Sequence, residues 1–235
     1  MVRLLDPGKR PPQFVTRGDA RAAFHHDLGF VSTDKEGKQS LPGVFFCPGF
    51  RSTLEDTKAL ALDAFCRARE QEFTRFDYFG HGQSEGALQD GTLTCWRDDA
   101  MQVLGITAGP QIIVGWGMGA WIAVLLALIV PERVKGLAAL DARELLQDSL
   151  SHLLLGDPMG PGGQHVEVIR YHGPVRVHYG MRDEEVPFAH VMRTLELMGS
   201  EDVLLSAIKQ GDHRLSSHTD VQRLFAAFTE LTDLL

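Results

Sequence analysis

The sequence is poor in cysteine, in positive charge and in repetition. Its cysteines, Cys47, Cys66 and Cys95, are scattered over 235 residues and form no CxxC pair. That excludes a cysteine-rich zinc site and a disulfide framework, and predicts reduced, buried thiols in an intracellular protein. Lys and Arg number 23 against 31 Asp and Glu, a formal net charge of −8. A nucleic-acid partner needs a basic face, and anionic lipid attracts basic segments, so neither partner is expected. No internal repeat and no low-complexity tract occurs. The opening stretch, MVRLLDPGKRPPQFVTRGDAR, has no apolar secretory core. It is basic but carries Asp6 and Asp19 and lacks serine, which sets it apart from a transit peptide. It reads as a loosely ordered lead-in, with the first strands falling within residues 1–40.

What is present is apolar material for a sizeable core, 44% of the chain, arranged as short strands alternating with helices. Residues 41–235 read as one α/β domain with a mostly parallel sheet and helices on both faces. In GVFFCPGF, Val44 to Cys47 is a strand stopped by Pro48-Gly49. Helix follows over about 54–69, where Leu62, Phe65 and Cys66 recur at helical spacing. FTRFDY (73–78), QIIVG (111–115), VKGLAAL (134–140), PVRVHYG (174–180) and DVLLSAIK (202–209) continue the strands. Helices are expected near 95–106, 118–130, 188–199 and 219–235. Residues 112–130 carry no charge and approach membrane-spanning length. Gly115, Gly117 and Gly119 crowd the first half of that run, which marks it as a buried strand, a turn and a buried helix. Residues 141–173 break the rhythm with an amphipathic helix and a turn-rich loop, and read as a short lid over the strand ends.

Three turns bear on chemistry. VGWGMGAW places Gly115 and Gly119 where a nucleophile elbow of the form Gly-x-Ser-x-Gly has its flanking glycines, but Gly117 stands where the serine would be. YGMRDEEVP puts Asp183 just beyond a strand end, and QGDHRL puts His213 beyond the last strand. Each alone is unremarkable: glycine suits a tight turn, and loop Asp and His commonly cap or face solvent. Their order, turn centre then Asp then His, each after a strand, is the order of the Ser…Asp…His triad of α/β hydrolases. The PGF turn after the first strand of the domain and the residue after the elbow centre supply two candidate oxyanion donors, the backbone N–H groups of Phe50 and Met118. Ser52, Thr53 and Ser84 are the nearby hydroxyls, and none sits in an elbow.

On these turns, and on RFDYFGHGQSEG, TLTCWRDD, GPQIIVGWGMGAW, PERVKGL and YGMRDEEVP, the chain resembles α/β-hydrolase-domain proteins. It is most similar to the branch that cleaves palmitoyl thioesters and acyl glucuronides in mitochondria. The resemblance runs from Val44 to the C-terminus and implies the α/β-hydrolase fold with a short lid. It implies catalytic roles for residue 117, Asp183 and His213, an oxyanion hole at Phe50 and Met118, and a small-molecule or protein-bound acyl substrate. It also implies a mitochondrial location, no metal and no organic cofactor. The chain departs from that branch by Gly117 and by a shorter segment before the Asp-bearing loop. Gly117 implies weak or absent acyl transfer. The alternatives are a pseudoenzyme that binds an acyl ligand or acts in regulation, and a non-hydrolytic enzyme that uses the His213–Asp183 pair as a base.

Overall fold

The computed structural model describes residues 10–29, 41–140 and 168–234. Among them run strands β1 (Gln13–Arg17), β2 (Ala20–Asp27) and β3 (Gly43–Cys47), helix α1 (Thr57–Ala68) and strand β4 (Phe73–Phe76). A 3-10 turn (Leu88–Asp90), α2 (Leu93–Leu104), β5 (Gln111–Trp116), α3 (Met118–Ile129) and β6 (Val134–Leu140) follow. The chain closes with β7 (Val175–Gly180), α4 (Phe188–Leu197), β8 (Val203–Ile208) and α5 (His218–Asp233). The strands form one eight-stranded sheet in the order β1-β2-β4-β3-β5-β6-β7-β8. β1–β2 and β2–β4 pair antiparallel, and every later pairing is parallel. This is the mostly parallel, doubly covered sheet expected from the alternating elements.

Strand alternation sorts the core into two layers. Phe45, Cys47, Ile113, Val175 and Val177 point to the face covered by α2, α3 and α4. Val44, Phe46, Ile112 and Val114 point to the face covered by α1 and α5, where they meet Leu62, Cys66, Leu224 and Phe228. Residues Met118 to Ala127 of α3 are all buried, which explains why this helix is apolar all round. The long uncharged run is therefore β5, a one-residue turn and α3. No helix among the described residues is long and apolar enough to cross a membrane.

The structure corrects two expectations. The opening stretch is not a loose lead-in throughout, because Gln13–Arg17 and Ala20–Asp27 form a hairpin on the sheet. Its Gly18–Asp19 turn, with Gly18 at φ +58°, is a hairpin signal hidden among charged residues. The thiols are not all buried: Cys47 and Cys66 are, but Cys95 is half-exposed and its Sγ accepts a 2.8 Å hydrogen bond from Arg17. Residues 141–167 of the expected lid, with its amphipathic helix, lie outside the described residues. Its far end rejoins the core, where Ile169 and Tyr171 are buried and the Ile169 N–H donates to the Leu197 carbonyl at 2.6 Å.

Candidate active site

The site is built at the carboxyl ends of β3, β5, β7 and β8. Gly117 lies between β5 and α3 at φ +49°, ψ −118°. That backbone state is open to glycine and strained for any residue with a Cβ. The turn is tight enough to fix its neighbours as well. A Cβ on Gly119 would run into the Cys47 carbonyl, and one on Gly115 into the Ala120 backbone. The two flanking glycines thus let α3 start against the ends of β3 and β5. The 117 carbonyl accepts from the Ala120 N–H at 3.0 Å, which closes the first turn of α3.

Beside it is the PGF turn. β3 and β5 are hydrogen-bonded neighbours with Cys47 opposite Gly115, so the residues that follow each strand emerge side by side. A Cβ on Gly49 would come within 2.8 Å of the Trp116 ring, so the turn hugs the residue before the elbow centre. Phe50, 47% exposed, meets His81 edge-on and Trp96 at a tilt, each at 5.7 Å between centroids. Met118 is the first residue of α3, where a helix has backbone N–H groups with no intrahelical acceptor. Phe50, Gly117 and Met118 line one cleft of about 790 Å³, together with His213.

His213 reaches that cleft from the end of β8, and Asp183 stands behind it at the end of β7. The Asp183 side chain is almost wholly buried, and its Oδ1 accepts from the backbone N–H groups of Glu185 (2.8 Å) and Val186 (2.9 Å). The Tyr179 hydroxyl ties down the same loop by donating to the Val186 carbonyl at 2.8 Å. Held this way, the carboxylate presents Oδ2 to His213 Nδ1 at 3.1 Å. The His213 loop is sewn to the Asp183 loop by hydrogen bonds from Arg182 N–H to Gly211 and from Met181 N–H to Ile208, both 2.9 Å. Gly180 permits that approach, since a Cβ there would strike the Asp212 carbonyl. Asp212 Oδ1 in turn caps the N–H groups of Arg214 and Leu215 at 3.0 and 2.9 Å, which sets the bend on which His213 stands.

Two cleft residues escaped the sequence reading. Lys58, near the start of α1, donates to the Arg214 carbonyl at 2.7 Å and lays its ammonium on the Trp116 ring. It links the histidine loop to the elbow, and nothing in the sequence signals a lysine 156 residues away from its partner. Glu185 places Oε1 3.8 Å from His213 Nε2; as one acid of the DEE run it had no feature to single it out. Of the alternative hydroxyls, Ser84 is occupied, donating to the Asp77 carbonyl at 2.7 Å and accepting from the Ala23 N–H at 2.8 Å. Thr53 Oγ1 is turned to Asp56 Oδ1 at 3.4 Å, while Ser52 lines the cleft beside the PGF turn. No group of three or more His, Cys, Asp or Glu side chains that could hold a metal occurs among the described residues.

A family profile described as "Alpha/beta hydrolase family" matches residues 44–233. The chain is 30% identical over 243 residues to the mouse mitochondrial palmitoyl-protein thioesterase ABHD10, covering 86% of this chain and 78% of that protein. The solved structure of mouse alpha/beta hydrolase domain-containing protein 10 superposes with a TM-score of 0.79 at 28% identity, over 95% of this chain and 99% of the other. Est1E from Butyrivibrio proteoclasticus, with ferulic acid bound, superposes with a TM-score of 0.72 at 17% identity, over 93% and 98% of the two chains, a likeness of fold.

Proposed function

The chain belongs to the alpha/beta hydrolase family, and on that premise we propose that its cleft receives an acyl (thio)ester while Gly117 denies it covalent catalysis. The observation that carries this reading is His213, which lines the same cleft as the elbow and is held from behind by Asp183 at 3.1 Å. With Nδ1 engaged by the carboxylate, Nε2 is the nitrogen assigned to move a proton.

In a serine hydrolase the elbow hydroxyl attacks the acyl carbon and gives its proton to the imidazole. Two backbone N–H groups, here those of Met118 and Phe50, hold the oxyanion. Collapse then expels the alcohol or thiol, which takes the proton from the imidazolium. Residue 117 supplies no oxygen, so the first bond cannot form. Loss of a triad nucleophile costs on the order of 10⁶ in kcat in subtilisin. The remaining parts bind the acyl group and support slow direct attack by water, with His213 as base. Oxyanion donors and binding alone give on the order of 10³–10⁴ over uncatalysed hydrolysis. The substrate class, a palmitoyl-type acyl group on a protein or small molecule, and a mitochondrial location are carried over from the similar thioesterase. The chemistry of this cleft calls for neither metal nor organic cofactor.

Gly117→Ser tests the reading. It should raise hydrolysis of a short p-nitrophenyl ester by orders of magnitude. Adding Asp183→Asn to that variant should then cut kcat by about 10⁴, because the amide no longer holds the imidazole in the productive tautomer. A well-folded serine variant without activity would show that the pocket, and not only the nucleophile, has diverged.

A further inference from the structure

The sheet ends in a strand that is unusually fit to be paired again. β8 runs in unbroken parallel register with β7, from Val175 opposite Val203 to Gly180 opposite Ile208, and has no neighbour on its outer side among the described residues. Exposed edges are normally blunted by proline, a mid-strand charge or a bulge. VLLSAI at residues 203–208 has none of these, and Leu204 is 50% exposed. The opposite edge, β1, differs: its Arg17 folds inward onto Asp99 and Cys95. Along β8 also runs an open groove of about 1070 Å³ against α5, lined in part by Leu204, Ser206, Arg223, Ala226, Ala227 and Glu230. Small alanines on the helix leave that groove wide beside the edge.

The charge pattern around β8 selects the occupant. Glu201 precedes the strand and Lys209 follows it; both are exposed and neither has an ion-pair partner among the described residues. When two copies of β8 run antiparallel about a twofold axis at Leu205, Leu204 lies opposite Ser206 and Val203 opposite Ala207. Glu201 of each copy then falls opposite Lys209 of the other, on the same face of the joined sheet. The symmetry supplies that pair twice. A strand of unrelated sequence would meet the acidic and the basic end with no such match.

We propose that β8 is a homodimerisation edge, joining two copies into one continuous sheet through antiparallel β8–β8 pairing with reciprocal Glu201–Lys209 contacts. The pairing is independent of the reading of the cleft. A strand-to-strand contact lies at the small end of stable interfaces, so the dimer should be concentration-dependent.

Sedimentation equilibrium of the full chain over a micromolar concentration series is the test. The wild-type protein should shift from monomer to dimer mass across the series. Lys209→Glu should raise the dimer dissociation constant on the order of tenfold or more, since it sets like charges opposite each other twice. The double change Glu201→Lys with Lys209→Glu should restore dimerisation. Hydrogen exchange of wild-type β8 amides, slower at high than at low concentration, gives the same answer without any variant. A monomer mass throughout, or a dimer that Lys209→Glu leaves unchanged, overturns the proposal. So does failure of the double change to restore it when the variant is folded.

Discussion

At the scale of single residues, the site depends on backbone states that specific side chains permit. Gly117 sits at φ +49°, where serine would be strained by about 1–3 kcal/mol, so Gly117→Ser should lower the urea midpoint while it creates activity. Asp77 shows a second residue-scale dependence. It is fully buried between Leu54 and the Gly82–Gln83 turn, with Leu54 N–H at 2.6 Å on Oδ1 and Gln83 N–H at 2.8 Å on Oδ2. Burial pushes its carboxyl up to about 6, against the pull of those two donors. An unfolded aspartate titrates near 3.9, so between about pH 4 and 6 the folded state holds a proton that the unfolded state has lost. Its contribution to stability is therefore full below about pH 4 and falls by about 2–3 kcal/mol as pH rises to about 6. Urea unfolding of wild type and Asp77→Asn across that range should show the difference between them changing by that amount. Parallel pH profiles would contradict the assignment.

At the scale of elements, the sequence made most of the fold legible because most strands are apolar and most turns carry glycine or proline. β3, β5, β6, β7 and β8 all fall within a residue or two of where their patterns put them. What misled was composition. First strands are expected within residues 1–40, but charged and proline-rich flanks hide that the β1–β2 hairpin starts as early as Gln13. The elbow was legible as an element because its constraint is steric: Gly115 and Gly119 leave no room for a Cβ. Gly119→Ala should accordingly push α3 away from the ends of β3 and β5 and destabilise the protein by at least about 1–3 kcal/mol, the range for overpacking. Chemical denaturation would measure this, and a neutral effect would mean the turn is looser than its geometry indicates. By contrast, Lys58 and Glu185 were invisible in the sequence. Their roles arise from side chains meeting across the fold, which no local pattern encodes.

At the scale of the whole molecule, the sheet gathers four strand ends so that residues far apart in sequence share one cleft: Phe50, Gly117 with Met118, and His213, which Asp183 holds from behind. The order of the turns announced this gathering, since a parallel sheet delivers successive loops to one edge. The proposed function is that of an α/β-hydrolase scaffold that lacks its attacking oxygen. Intact-mass measurement after treatment with a fluorophosphonate probe tests that claim most directly. The wild-type chain should remain unmodified, and Gly117→Ser should gain one adduct that maps to residue 117. A stoichiometric adduct on the wild-type chain would contradict the account, as would a folded serine variant that stays unlabelled.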